Sequence, residues 1–142
     1  MNMRSRIVRA GSRPTKKAPS ASFTGIVWQD EVFVPEQPSR VRASRVTFSP
    51  GARTNWHTHA VGQILYVLSG VGRYQLDGEP VEVLLPGDTV VIPPQARHWH
   101  GGAPDHQMVH LAMSETSDTG EATTWLEPVS DGDYLKAPAK PA

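Results

Sequence analysis

The chain has no cysteine, which removes disulfides from its means of stabilisation and thiolate from its possible metal ligands. Zinc-ribbon and iron–sulfur readings are excluded with it. Long apolar runs are also missing: none approaches the ~20 residues needed to span a bilayer. The basic start is not followed by the apolar core of a signal peptide. The expectation is a soluble protein of the cytoplasm with no membrane partner. Aromatic residues are sparse at 7%, no long stretch carries the 3.6-residue period of a helix, and no internal repeat is present.

Net charge is absent as well, but only by cancellation. Fourteen Lys and Arg balance fourteen Asp and Glu over 142 residues. Arg4, Arg6, Arg9, Arg13, Lys16 and Lys17 put six of those positive charges, and no negative ones, into the first 22 residues. Eight basic and fourteen acidic residues remain, a balance of −6 that argues against a nucleic-acid-binding body. Residues 1–22 are rich in Arg, Ser, Pro and Lys and bury too little apolar area to offset ordering entropy, so they are expected to form a flexible basic arm. Residues 136–142 read as a flexible tail for the same reason. The folded body is then a single domain over 23–135.

What is present in that body is short, β-branched and densely punctuated. Strand-like runs occur at Ile26 to Trp28, Val41 to Phe48, Ile64 to Leu68, Val81 to Leu85 and Thr89 to Ile92. Turn residues separate them at Ser49-Pro50-Gly51, Ser69-Gly70, Pro86-Gly87-Asp88 and Pro93-Pro94, and Asp77-Gly78 predicts a hairpin. A short helical turn is expected near Asp131 to Tyr134. The pattern is all-β, a sandwich or barrel, of which the double-stranded jelly roll is one form.

Six histidines occur, and four form two pairs. His57 and His59 are two apart, as are His98 and His100, and residues at i and i+2 of a strand project from one face. Two pairs of imidazoles can therefore converge inside one barrel on a metal ion. Surface or hydrogen-bonded core histidines are the alternative that spacing alone leaves open.

The frame around the pairs narrows the choice. Gly51, His57, His59, Gln63 and Gly70 closely resemble the first signature of the cupin superfamily, and Gly87, Pro93 and His98 resemble the second. The resemblance implies a jelly-roll barrel with its ligands pointing inward. Three positions depart from the general pattern: the usual carboxylate is Gln63, a usual glycine is Gln95, and a usual asparagine is Gly102. An amide oxygen can still ligate. With three imidazoles and an amide, an M(II) site keeps its full +2 charge, which disfavours cycling to the trivalent state and favours Lewis-acid chemistry.

Segments 23–25, 47–59, 62–63, 98–101, 108–112 and 125–129 are similar to the small bacterial cupins that include manganese-dependent hydroxynitrile lyases. In that family the set of three His and one Gln is typical. The resemblance implies His57, His59, Gln63 and His98 as ligands of one divalent metal, with Mn(II) first and Fe(II), Zn(II), Ni(II) or Co(II) as alternatives. It implies His100 and His110 as proton-transfer groups acting on a cyanohydrin or on an aldehyde plus cyanide. Strand parity supports both positions independently, since His100 lies two beyond a ligand and the neighbours of His110, Val109 and Leu111, point the other way.

Val46, Phe48, Ile64, Tyr66, Met108 and Ala112 are candidate pocket or core residues; Trp56 and Trp99 are expected to pack outside the barrel; Arg53 is a candidate anion holder or surface residue; and His106 is expected to be exposed. A metal-dependent oxygenase and a non-enzymatic small-ligand-binding cupin are the competing readings. Exposed sheet edges make a homodimer or homotetramer reasonable.

Overall fold

The computed structural model describes residues 4–119 and 123–139. Thirteen strands and one short helix follow in chain order: β1 (Lys16–Lys17), β2 (Phe23–Thr24), β3 (Val27–Phe33), β4 (Val41–Phe48), β5 (Arg53–Thr54), β6 (His57–His59), β7 (Gln63–Gly70), β8 (Gly72–Leu76), β9 (Glu82–Leu84), β10 (Thr89–Ile92), β11 (His98–Gly102), β12 (Met108–Glu115), β13 (Thr123–Trp125) and α1 (Asp131–Tyr134). The fold is the expected all-β barrel, with 45% strand and 3% helix among the described residues.

Two antiparallel sheets curl against each other. One has the order β1-β3-β4-β12-β7-β10; the other runs β13-β6-β11-β5-β2, with β8 joining through β11 and carrying β9. The hairpin expected at Asp77-Gly78 is present, with Tyr74 opposite Glu82 and Gly72 opposite Leu84. The helical turn at Asp131 is present too, capped by Ser130, whose hydroxyl accepts from the Asp133 N–H at 3.1 Å.

Parity along the central strands decides what faces the barrel interior. On the β4–β12 ladder Phe48, Val46, Ser44 and Arg42 stand opposite Met108, His110, Ala112 and Ser114, and all of these except Met108 line one cavity. Phe48, Val67, Leu84 and Met108 fill one end of the interior. A second cluster of Trp56, Val81, Trp99, Val129 and Tyr134 lies on the other side of the His-bearing sheet, so both tryptophans pack away from the cavity as expected.

Two expectations need correction. Ile64 and Tyr66 do not line the pocket; they are exposed on the outer face, because β7 turns Gln63, Leu65 and Val67 the other way. Arg53 does not sit at the surface: it is buried, donates to the Val129 carbonyl at 2.7 Å and to the Asp131 carboxylate at 2.8 Å, and stacks on Tyr134 at 4.5 Å. Described residues outside 23–135 also make contacts with the body. Lys16 and Lys17 pair with Gln29 and Trp28, Ala18 is buried in the core, and the Ala139 N–H donates to the Val81 carbonyl at 2.8 Å. Backbone pairing makes no demand on apolar side chains, so a basic segment can join an edge. The outermost residues of both expected arms, 1–3 and 140–142, lie outside the described residues.

Candidate metal centre

His57 and His59 enter the barrel from β6, and His98 and His100 from β11, with His98 paired directly across from His57. Gln63 stands at the start of β7, and His110 lies on β12 beside a register shift against β7. A bulge of this kind re-aims a side chain relative to a regular ladder. Gly62, just before Gln63, has φ 82°, and a Cβ there would meet the Ile92 carbonyl at 2.6 Å. Only glycine brings Gln63 in on this path.

The ligand atoms of His57, His98 and His100 all lie within 4.8 Å of one another. The His59 ring is 4.9 Å from that of His57 and 5.5 Å from that of His98, centroid to centroid. Hydrogen bonds fix the tautomers. Nδ1–H of His57 donates to the Asn55 carbonyl at 2.8 Å, and Nδ1–H of His98 donates to the Ala96 carbonyl at 2.9 Å. A carbonyl only accepts, so in each neutral ring the lone pair is on Nε2. Nδ1 of His59 is 3.1 Å from the Thr123 hydroxyl, which turns its Nε2 the opposite way.

Nε2 of His98, Nε2 of His100 and Oε1 of Gln63 are buried with no hydrogen-bond partner among the described residues. Partnerless buried acceptors are costly. Lone pairs that converge from several strands suit a divalent cation with nitrogen and oxygen preferences, and a backbone carbonyl behind an imidazole is the usual support of a ligand. The donor set therefore fits a metal.

His100 and His110 form a second unit. Nε2 of His110 is 3.0 Å from Nδ1 of His100, and Nδ1 of His110 is also buried without a partner. Phe48 lies against both rings, at 5.7 and 5.3 Å. Burial holds the His110 pKa at about 4, opposed only by its own backbone, and pushes that of His100 well below the ordinary range with help from the nearby His110. Burial lowers His98 to about 4 and puts His57 well below its usual value, with His98 and His59 adding to the effect. These four rings are neutral at pH 7, the state in which imidazole ligates or accepts a proton.

The cavity above them has a volume of about 380 Å³ and is lined by His57, His59, Gln63, His100 and His110. Val46, Phe48 and Ala112 also line it, whereas Met108 belongs to the filled end of the barrel. His106 is exposed beside Asp105, away from the site. Among the lining residues that escape sequence reasoning are Thr123 and Trp125, whose ring is 4.7 Å from that of His57. They arrive on β13, far along the chain, by pairing with β6. The segment's resemblance at Trp125 is the one signal that could have found them.

Comparison with known proteins agrees with this architecture. Residues 44–113 match the family model described as "Cupin domain". The chain is 47% identical over 130 residues to an (R)-mandelonitrile lyase from Granulicella tundricola, covering 92% of this chain and 98% of that protein. The crystal structure of a cupin-like protein from Thermotoga maritima superposes with TM-score 0.81 at 41% identity, over 94% of this chain and 98% of the other. A polyketide cyclase from Streptomyces resistomycificus shares the fold at TM-score 0.68 and 20% identity, over 93% of this chain and 91% of that one.

Proposed function

The chain belongs to the cupin family, and from that premise we propose that it is a metal-dependent hydroxynitrile lyase, a carbon–carbon lyase of the cytoplasm that cleaves or forms cyanohydrins. The 47%-identical relative is named for that activity on (R)-mandelonitrile. The observation that carries the reading is the buried pair His100–His110, neutral and facing the same cavity as the converging ligand atoms. His57, His59, Gln63 and His98 would hold one divalent metal, Mn(II) first, then Fe(II), Zn(II), Ni(II) or Co(II). When bound, that ion supplies positive charge that lowers the pKa of a substrate hydroxyl.

The histidine pair does the proton work. Across their shared hydrogen bond one ring donates and the other accepts. In either tautomer, one of the two outer nitrogens, Nε2 of His100 and Nδ1 of His110, carries a lone pair and the other a proton. The lone pair takes the hydroxyl proton of the cyanohydrin. The O–H electrons become the second carbonyl bond, the C–C bond to the nitrile carbon breaks, and cyanide leaves with that bond's electron pair. The pair's remaining N–H protonates cyanide, so that aldehyde and hydrogen cyanide form with no net change of charge. Val46, Phe48 and Ala112 offer an apolar seat for the rest of the substrate.

Mn(II)-loaded protein should release benzaldehyde from racemic mandelonitrile under anaerobic, mildly acidic conditions. His110→Ala should lower that rate by about 100-fold or more. No release above the spontaneous background would sink this reading and turn attention to oxygen-consuming chemistry at the same residues. We further infer a homodimer or homotetramer, supported by the exposed Ile64, Tyr66, Leu68 and Val91 on the outer sheet face.

A further inference from the structure

The cavity is chemically graded along its length. On the β4–β12 ladder Val46 is level with His110, Ala112 and Ser44 come next, and Arg42 stands opposite Ser114 at the far end; Arg13, Lys16 and Glu31 line the same cavity. Among these charges, Glu31 is already neutralised by Arg13, with Nη1 3.1 Å from Oε2. Other carboxylates in the flanking segments are committed elsewhere: Glu36 to Arg6 at 2.6 Å, Asp118 to Arg40, and Asp30 to the Thr15 hydroxyl. The side chains of Arg42 and Lys16 make no hydrogen bond or ion pair among the described residues. The described wall is otherwise neutral, so it shows two uncompensated positive charges.

Their position relative to the histidines is set by one strand. Arg42 shares the inward face of β4 with Ser44, Val46 and Phe48, and its cross-strand partner is Ser114, whereas Val46 faces His110. Four residues of strand, about 13 Å at ~3.3 Å per residue, separate the two levels. An aromatic ring or a short chain fits between the two levels. A planar fork of N–H donors at the Arg42 level suits a carboxylate.

We propose that the substrate carries a carboxylate at the end remote from its reacting carbon, held by Arg42 and Lys16. The substrate class is then an aldehyde acid or its cyanohydrin, with a ring or short chain joining the two ends. Which end reacts rests on the lyase reading; recognition of the anion does not. The distance between the histidines and the cationic end of the cavity acts as a ruler, selecting on both charge and length.

Two unreactive probes separate these points. Calorimetry on the Mn(II)-loaded protein at pH 7 and low salt should find 4-(hydroxymethyl)benzoate bound about tenfold more tightly than benzyl alcohol, a preference that fades with added salt. Arg42→Gln should abolish most of that preference, and Lys16→Gln part of it. In cleavage assays, the ratio of kcat/KM for the cyanohydrin of 4-formylbenzoate over mandelonitrile should fall about tenfold in Arg42→Gln. Equal binding of the two probes, or a preference that survives both substitutions, would overturn the proposal. Should neither cyanohydrin be cleaved while the Arg42-dependent preference persists, the lyase reading fails and the anion site stands.

Discussion

His100 contends with Gln63 and His59 for a place at the candidate metal centre. Sequence resemblance puts Gln63 and His59 among the ligands and gives His100 to proton transfer, whereas among the described His, Cys, Asp and Glu side chains His57, His98 and His100 bring their ligand atoms within 4.8 Å of one another. His100 cannot offer the same Nε2 lone pair to a metal and to a proton. Its Nδ1 is already engaged with His110, and the buried amide oxygen of Gln63, with no hydrogen-bond partner among the described residues, suits ligation. We therefore expect Gln63→Ala and His59→Ala to weaken Mn(II) binding by more than the 10–100-fold typical of supporting residues. His100→Ala should retain the metal and lose the lyase activity. Metal analysis after dialysis decides this, and loss of metal from His100→Ala with retention in Gln63→Ala would reverse the assignment.

At the scale of single elements, the turn before β11 offers a test of strain. Gln95 has φ 64°, the one non-glycine among the described residues in the left-handed region, at a position where the family signature usually has glycine. Its N–H donates to the His59 carbonyl at 2.8 Å, so the turn braces a site residue. Relief of left-handed strain exceeds the entropy that glycine adds to the unfolded chain, and Gln95→Gly should raise stability by about 0.5–1 kcal/mol. The midpoint of urea unfolding reads this directly; a lower midpoint would show that the Gln side chain contributes something that its contacts do not reveal. Strands were the legible part of the sequence. Their runs, the Asp77-Gly78 turn and the convergence of both His pairs all followed from period and punctuation. Parity was usable but unevenly applied: a Gln63 that faces inward sends Ile64 and Tyr66 outward on the same strand. Illegible were the contacts made by backbone pairing between distant segments, which bring Lys16 to β3 and Thr123 to His59 without any local side-chain signal.

For the whole molecule, buried neutral histidines make stability depend on pH. The folded pKa values of His98 and His110 lie near 4, against 6.5 for a solvated imidazole. The unfolded chain therefore binds more protons as pH falls from about 6.5 to 4, and folding loses roughly 3 kcal/mol per residue across that window. Stability is complete above pH 6.5. Metal-free protein should show a melting temperature that drops steeply between pH 6.5 and 4, and His110→Gln should flatten the decline; a flat profile would mean that these rings are charged or solvated in the native state. On the outside, Ile64, Tyr66, Leu68 and Val91 form an apolar strip across β7 and β10. Val91→Glu should shift the protein towards monomer in light scattering, and an unchanged mass would place the contact elsewhere. The interior has a further consequence. Phe48, Val67, Leu84 and Met108 plug the barrel beyond the histidines, while the other end opens at the rim. Such a chamber is a cul-de-sac. If the proposed cleavage takes place there, its two products must queue for the doorway through which their parent came in, and whichever is nearer the exit detains the other.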